Sequence, residues 1–173
     1  MNPSPELIQQ AKAGDIHAFA LLYQSVYKDL YYFALYTLQH PQDAEDVVSE
    51  TVLDAFAQIR TLREDGAFHS WIFRILSNKC RRRIRDYIDP PVVLDTMTET
   101  QAAPAHRTDA DLSVQTDVRR AFAALPEDDR LILALNLFAG YSSQEIGEQL
   151  DMNPNTVRSR QSRALKKLEQ MLS

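Results

Sequence analysis

Cysteine, glycine and long apolar runs are what this 173-residue chain has little of. A single cysteine, Cys80, leaves no internal disulfide to form and excludes a disulfide-stapled scaffold. Only four glycines are present, and there is neither a GxxxxGK[ST] phosphate loop nor a nucleophile–base signature. No apolar stretch approaches the ~18 residues of a membrane span. The N-terminal MNPSPELIQQ has no basic segment followed by an apolar one, so no secretory leader is expected and the chain reads as cytoplasmic. His17, His40, His69 and His106 are scattered without zinc-site spacing. The expectation is a protein with no metal, no cofactor and no catalytic residues.

The charge is present but unevenly placed. The net charge of −5 argues on its face against nucleic acid, yet phosphate binding depends on local potential. Residues 1–66 carry four basic and ten acidic side chains, whereas 67–88 carry six basic and one acidic. Residues 89–117 are acidic again, and the basic side chains of 118–173 cluster near the end. Two basic patches in an acidic chain suggest two nucleic-acid contacts, with acidic surfaces for something else.

Apolar residues make up 45% of the chain and recur at three- and four-residue spacing, with no strand-like alternation. The fold class expected is therefore all-α. A first helix opens at Pro5 and breaks at Gly14-Asp15. A second runs from about Ile16 to Gln39 and ends at His40-Pro41, because the residue before proline avoids the helical region. A third, to about Ile59, lines up Ala44, Val47, Val48, Thr51, Val52, Ala55 and Phe56, with Glu45, Asp46, Glu50 and Asp54 opposite. A polar loop spans Thr61 to Gly66. The next helix, about Phe68 to Tyr87, begins apolar and ends basic. Residues 89–112 have the composition of a flexible linker, and helical pattern resumes near Leu112. Leu131 to Phe138 reads as a buried helix closed by Ala139-Gly140. The expected organisation is two small helical domains, 1–88 and 113–173, joined by the acidic linker 89–112.

The most informative stretch is YSSQEIGEQLDMNPNTVRSRQSRALKKLEQML, at the C-terminal end. Ser142 or Ser143 can cap a helix ending at Leu150. Asp151-Met152-Asn153 makes a tight turn, and Pro154 or Asn155 starts a second helix, which is helix-turn-helix geometry. Ile146, Leu150, Met152, Val157, Ala164 and Leu168 fall where the helices bury against each other, and Gly147 is small where they approach. Arg158, Ser159, Ser162, Arg163 and Lys166 lie away from that face, with Asn155 and Thr156 at the helix start. Arginine pairs bidentately with guanine or grips phosphate, and serine contacts either.

Three stretches together resemble extracytoplasmic-function sigma factors, the small group of the bacterial sigma family, and they come in the family's order. They are DAEDVVSETVLDAF (43–56), FHSWIFRILSNKCRRRIRDY (68–87) and LPEDDRLILALNLFAGYSSQEIGEQLDMNPNTVRSRQSRALKKL (125–168). The resemblance implies that the first docks on the β′ clamp helices of core RNA polymerase, through Asp46 and Glu50 with Asp43 and Glu45. It implies that the second recognises and helps melt the −10 element. Thr61, Leu62, Arg63 and Asn78 would line a pocket for an extruded base, with His69 beside it, while Lys79, Arg81, Arg82 and Arg83 would hold the backbone. Phe68 and Trp71 read better as core packing than as stacking platforms. The third stretch would read the −35 element.

By the same resemblance, the linker acids Asp95, Glu99, Asp109 and Asp111 would thread the RNA channel. The implied partners are core polymerase (β′ clamp helices and β flap), promoter DNA and an anti-sigma factor. One departure is Asp151 where the family often has glycine; aspartate tolerates the left-handed conformation better than most residues. A conventional helix-turn-helix regulator remains the alternative. It has no reason, however, to follow an acidic helix with an aromatic-then-basic one.

Overall fold

The computed structural model describes residues 3–90 and 117–173, and these contain helices and no strand. The N-terminal half holds α1 (Pro5–Lys12), α2 (Ile16–Leu38), α3 (Pro41–Gln58) and α4 (Phe68–Ile88). Short 3-10 turns at Ile59–Thr61 and Asp65–Ala67 bridge α3 to α4. The C-terminal half holds α5, helical over 117–123, then α6 (Glu127–Leu137), α7 (Ser143–Leu150) and α8 (Pro154–Leu172). No described helix is long and apolar enough to cross a membrane. The start of the helix expected near 112 and most of the linker lie outside the described residues.

Local chemistry sets the helix ends. The Ser4 hydroxyl accepts from the Leu7 amide at 3.3 Å, and Asp15 accepts from His17 and Ala18, which satisfies first-turn donors. Gln39 closes α2 in the left-handed region at φ 61°. The His40 ring then caps α3, accepting from the Asp43 amide at 3.2 Å, with Pro41 in the first turn, where its missing N–H costs nothing.

Helix α2 is the centre of the molecule. Its C-terminal half is apolar on every side, and Leu30, Phe33, Ala34, Leu35 and Leu38 are buried. One flank receives α1 and α3, and Phe33 meets Phe73 of α4 edge-on at 5.7 Å. The other flank receives the C-terminal half. There Tyr36 stacks on Phe122 at 5.1 Å and meets Phe138 at 5.5 Å. Ile72 and Leu76 of α4 belong to the same buried cluster as Leu131, Ile132 and Leu135 of α6. The two halves therefore share one buried cluster, whereas the linker composition permits packed and separate modules alike.

Three residues sit differently from their sequence pattern. Phe56, placed by periodicity on the buried face of α3, is 45% exposed and covers Phe19 edge-on at 5.1 Å. Leu62, expected in a DNA-binding loop, is 5% exposed and packs into the core, so its side chain is a structural anchor. Cys80, whose basic neighbours favour a lowered thiol pKa, is fully buried, and desolvation pushes it up against the pull of Arg83.

Candidate nucleic-acid interface

The helix-turn-helix is built from short-range signals that agree. Ser142 caps α7 in a capping box: its hydroxyl accepts from the Glu145 amide at 3.2 Å, and Glu145 accepts from the Ser142 amide at 2.7 Å. Asp151 takes the left-handed conformation (φ 56°, ψ 49°) that ends α7. The Met152 amide then donates to the Gly147 carbonyl at 2.8 Å. A β-carbon at Gly147 would lie 2.6 Å from the Met152 carbonyl oxygen, so only glycine lets the turn fold back on the helix. Asn153 accepts from the Asn155 amide at 2.9 Å and starts α8, with Pro154 next.

Helix α8 buries Val157, Ala164 and Leu168 and exposes the opposite face. Asn155, Thr156, Arg158, Ser159, Ser162, Arg163 and Lys166 are all exposed. Within that face Arg158 donates to the Asn155 side-chain oxygen at 2.6 Å, and Arg163 donates to the Ser159 carbonyl at 3.3 Å. The other basic residues of α8 are bound back to the C-terminal half. Arg160 pairs with Asp129 at 3.4 Å and Asp128 at 3.6 Å, and Lys167 donates to the Ala124 carbonyl at 2.9 Å. The helix thus separates structural cations from outward ones.

The second basic patch, on α4, lies along a seam with the acidic face of α3. Lys79 pairs with Asp54 at 2.6 Å and approaches Glu50 at 3.9 Å. Arg83 pairs with Asp43 at 3.0 Å and with Glu50 at 3.6 Å, and the Tyr87 hydroxyl donates to Asp43. Asp43 faces this seam and is half-buried, as is Glu45, whereas Asp46 and Glu50 are exposed on the outer edge. Asn78 and Arg82 are exposed on α4. Arg81 is partly covered and donates to the Gln149 carbonyl of α7 at 3.1 Å. His69 is half-buried with its ring 4.7 Å from Phe73. Burial lowers its pKa, against Asp29 and a hydrogen bond to the Ala139 backbone.

Thr61 and Arg63 are exposed in the loop before α4. That loop is pinned by residues no motif singled out. Asp65 accepts from Gln9 at 2.8 and 3.0 Å and pairs with Lys12 at 3.1 Å, and these bonds hold its carboxyl below the usual range. Thr61 to Glu64 border a cavity of about 560 Å³ that also touches Trp71, Arg74, Glu145 and Glu148. Trp71 is half-buried on its wall, and Phe68 is fully buried in the core.

Comparison with known proteins follows this division. The sigma-70 region 2 model matches residues 22–87, and the sigma-70 region 4 model matches residues 115–168. The ECF RNA polymerase sigma factor SigM of Mycobacterium tuberculosis is 29% identical over 167 residues, covering 96% of this chain and 83% of the relative. SigW of Bacillus subtilis is 29% identical over 177 residues, covering 95% and 94%. The chain belongs to the extracytoplasmic-function sigma factors.

Sigma factors bind core RNA polymerase and direct it to promoters, and the two matched regions are the two halves described above. Two solved structures are similar across the sigma fold. CnrH, in complex with the cytosolic domain of CnrY, has a TM-score of 0.66 at 26% identity, covering 96% of this chain and 94% of that one. RpoE of Bartonella quintana, in complex with the anti-sigma factor NepR, has a TM-score of 0.63 at 25% identity, covering 91% and 98%.

Proposed function

We propose that this sigma factor acts through three surfaces. The outer edge of α3, with Asp46 and Glu50 foremost and Asp43 and Glu45 behind, docks on a basic surface of core polymerase at the β′ clamp helices. Complementary charge there sets association rate and register. The exposed loop residues Thr61 and Arg63, with Asn78, Lys79, Arg81 and Arg82 on α4, engage the −10 element; His69 supports this surface from its half-buried position. Extruding a base costs a few kcal/mol, which a shaped pocket and fixed cations offset. The outer face of α8, from Asn155 to Lys166, reads the −35 element from the major groove, with the C-terminal half as a whole resting near the β flap.

The observation that carries this reading is the sorting of cations on α8. Arg158, Arg163 and Lys166 are exposed, whereas Arg160 is half-buried against Asp128 and Asp129, and Lys167, also exposed, is bound back to the Ala124 carbonyl. The division 1–88, 89–112 and 113–173 belongs to the same proposal. The linker acids Asp95, Glu99, Asp109 and Asp111, proposed to follow the RNA channel, lie outside the described residues. The complexes of CnrH with CnrY and RpoE with NepR support control by an anti-sigma partner, acting in the cytoplasm where polymerase works.

Transcription on genomic template tests the reading. Core polymerase with this protein should start at discrete sites that core alone does not use. Equal, unselective initiation with and without it would defeat the proposal.

A further inference from the structure

The loop between α3 and α4 is anchored at every third residue, the period of its 3-10 turns. The anchors are Ile59, Leu62, Asp65 and Phe68. Ile59, Leu62 and Phe68 are buried in the core, and Asp65 takes its place in the same series with a carboxylate. Between the anchors, Thr61, Arg63, Glu64 and Gly66 are exposed.

The polar anchor is satisfied from α1. The Gln9 amide nitrogen donates to both Asp65 oxygens, at 2.8 and 3.0 Å, and Lys12 supplies the counter-charge at 3.1 Å. The two donors stand three residues apart, on one side of the helix. Both precede residue 22, where the match to sigma-70 region 2 begins. Helix α1 is nonetheless a fixed base. Ile8 and Ala11, each next to a donor, are buried in the core, and the helix packs against both 3-10 turns of the loop.

We propose that Gln9, Lys12 and Asp65 form a latch that sets base selectivity at the −10 element without touching DNA. The inference rests on the role proposed above for the loop. Extruding a base costs a few kcal/mol, so a loop that had to order itself on binding would subtract that ordering from the gain. A site carried on a loop needs a supporting shell to hold its geometry. Asp65 does not line the cavity that Thr61 to Glu64 border, so its carboxylate serves the shape of the loop and not the wall of the pocket. Charge argues the same way. A bare carboxylate in a DNA-reading loop repels phosphate, and Lys12 cancels it. The hydrogen bonds from Gln9 and Lys12 also favour the ionised carboxyl, so the latch stays closed at neutral pH. All three are positioning residues.

The test is run-off transcription with the full chain and core polymerase. One template pool carries a randomised −10 element with a fixed −35 element, and a second pool the reverse. The variant Gln9→Ala with Lys12→Ala removes both donors from α1, where alanine suits the helix, and alters no residue of the loop. Its preference among −10 bases should flatten by about tenfold, the order expected for two hydrogen bonds to a charged group, while its −35 preference stays as in wild type. Asp65→Ala should give the same loss, and the triple variant no more, because all three act as one unit.

A folded double variant with wild-type −10 preference overturns the proposal. So does an equal loss in both pools, which marks a general weakening, or a triple variant whose losses add. If Asp65→Ala does not fold, the α1 variant decides alone. Should wild type itself show no preference among −10 bases, it is the promoter reading of the loop that falls. Hydrogen exchange then still judges the latch. The Leu62 and Ala67 amides, bonded to the Ile59 and Glu64 carbonyls within the loop, should exchange about tenfold faster in the α1 variant. Unchanged exchange there means that no latch exists.

Discussion

Lys79 holds its ammonium 2.6 Å from the Asp54 carboxylate, and this joins the acidic edge of α3 to the basic end of α4. The lysine side chain is only 15% exposed, so the pair is shielded on one side, whereas the carboxylate is nearly half exposed. The surface proposed for polymerase and the surface proposed for DNA therefore share one ion-pair network, completed by Arg83 with Asp43 and Glu50.

Asp54→Asn frees one cation in that network. Stability should change by less than about 1 kcal/mol, as for most partly exposed pairs. Non-specific DNA binding by the free protein should strengthen, and its log–log salt slope should steepen by about one, the signature of one added phosphate contact. Fluorescence anisotropy across a salt titration checks this; an unchanged slope means Lys79 already reaches phosphate.

Glu50→Lys reverses charge on the exposed edge of α3 and sets a third cation beside Lys79 and Arg83. Affinity for core polymerase should fall by roughly tenfold, mostly through slower association. Surface plasmon resonance against immobilised core measures it. Unaltered affinity would remove this edge from the interface.

Arg158→Ala should cost about 1–3 kcal/mol at the preferred −35 sequence if the guanidinium pairs with a base. The comparison that matters is between sequences. A loss that is equal on every template assigns Arg158 to phosphate instead.

Gly147→Ala forces a methyl group toward the Met152 carbonyl oxygen, at 2.6 Å without relaxation. Opening the turn to relieve this should destabilise the C-terminal half by about 1–3 kcal/mol. Thermal unfolding followed by circular dichroism should record the lower midpoint; an unchanged midpoint would mean that the turn yields freely.

His69 predicts a pH dependence. Its pKa is lowered in the folded protein by burial against Phe73 and the C-terminal half. Below the unfolded-state value near 6.5 the unfolded chain binds the proton more readily, so stability falls as pH drops through and below that value. Unfolding midpoints at about pH 7.5 and 5.5 should differ more for wild type than for His69→Gln. Parallel profiles would assign the loss to other groups.

Much of this was legible in the sequence because the signals are local. Ser142 and Glu145 sit at capping-box spacing, Gly147 and Pro154 mark the turn, and Asp151 takes the left-handed conformation expected of it. Helix boundaries at Gly14-Asp15 and His40-Pro41 are similarly written in a few neighbouring residues. Leu62 was misplaced because a loop of a few residues has no period from which to infer burial. The packing of the two halves was illegible for a different reason. Arg119, Arg130 and Gln149, which bond across it, are polar side chains that water would serve equally well. Their partners lie 72 to 93 positions away and are mostly backbone carbonyls, which leave no trace in residue type.

Cys80 gives the fold a built-in clock. It is the chain's single thiol, sealed inside α4's buried face, and desolvation keeps it from ionising. Alkylating reagents at neutral pH will therefore meet it only when the packing over α4 opens. The rate of modification reads the opening of the buried cluster that holds α4. Cysteines introduced on the surface can accordingly be labelled in the native protein without first removing the natural one.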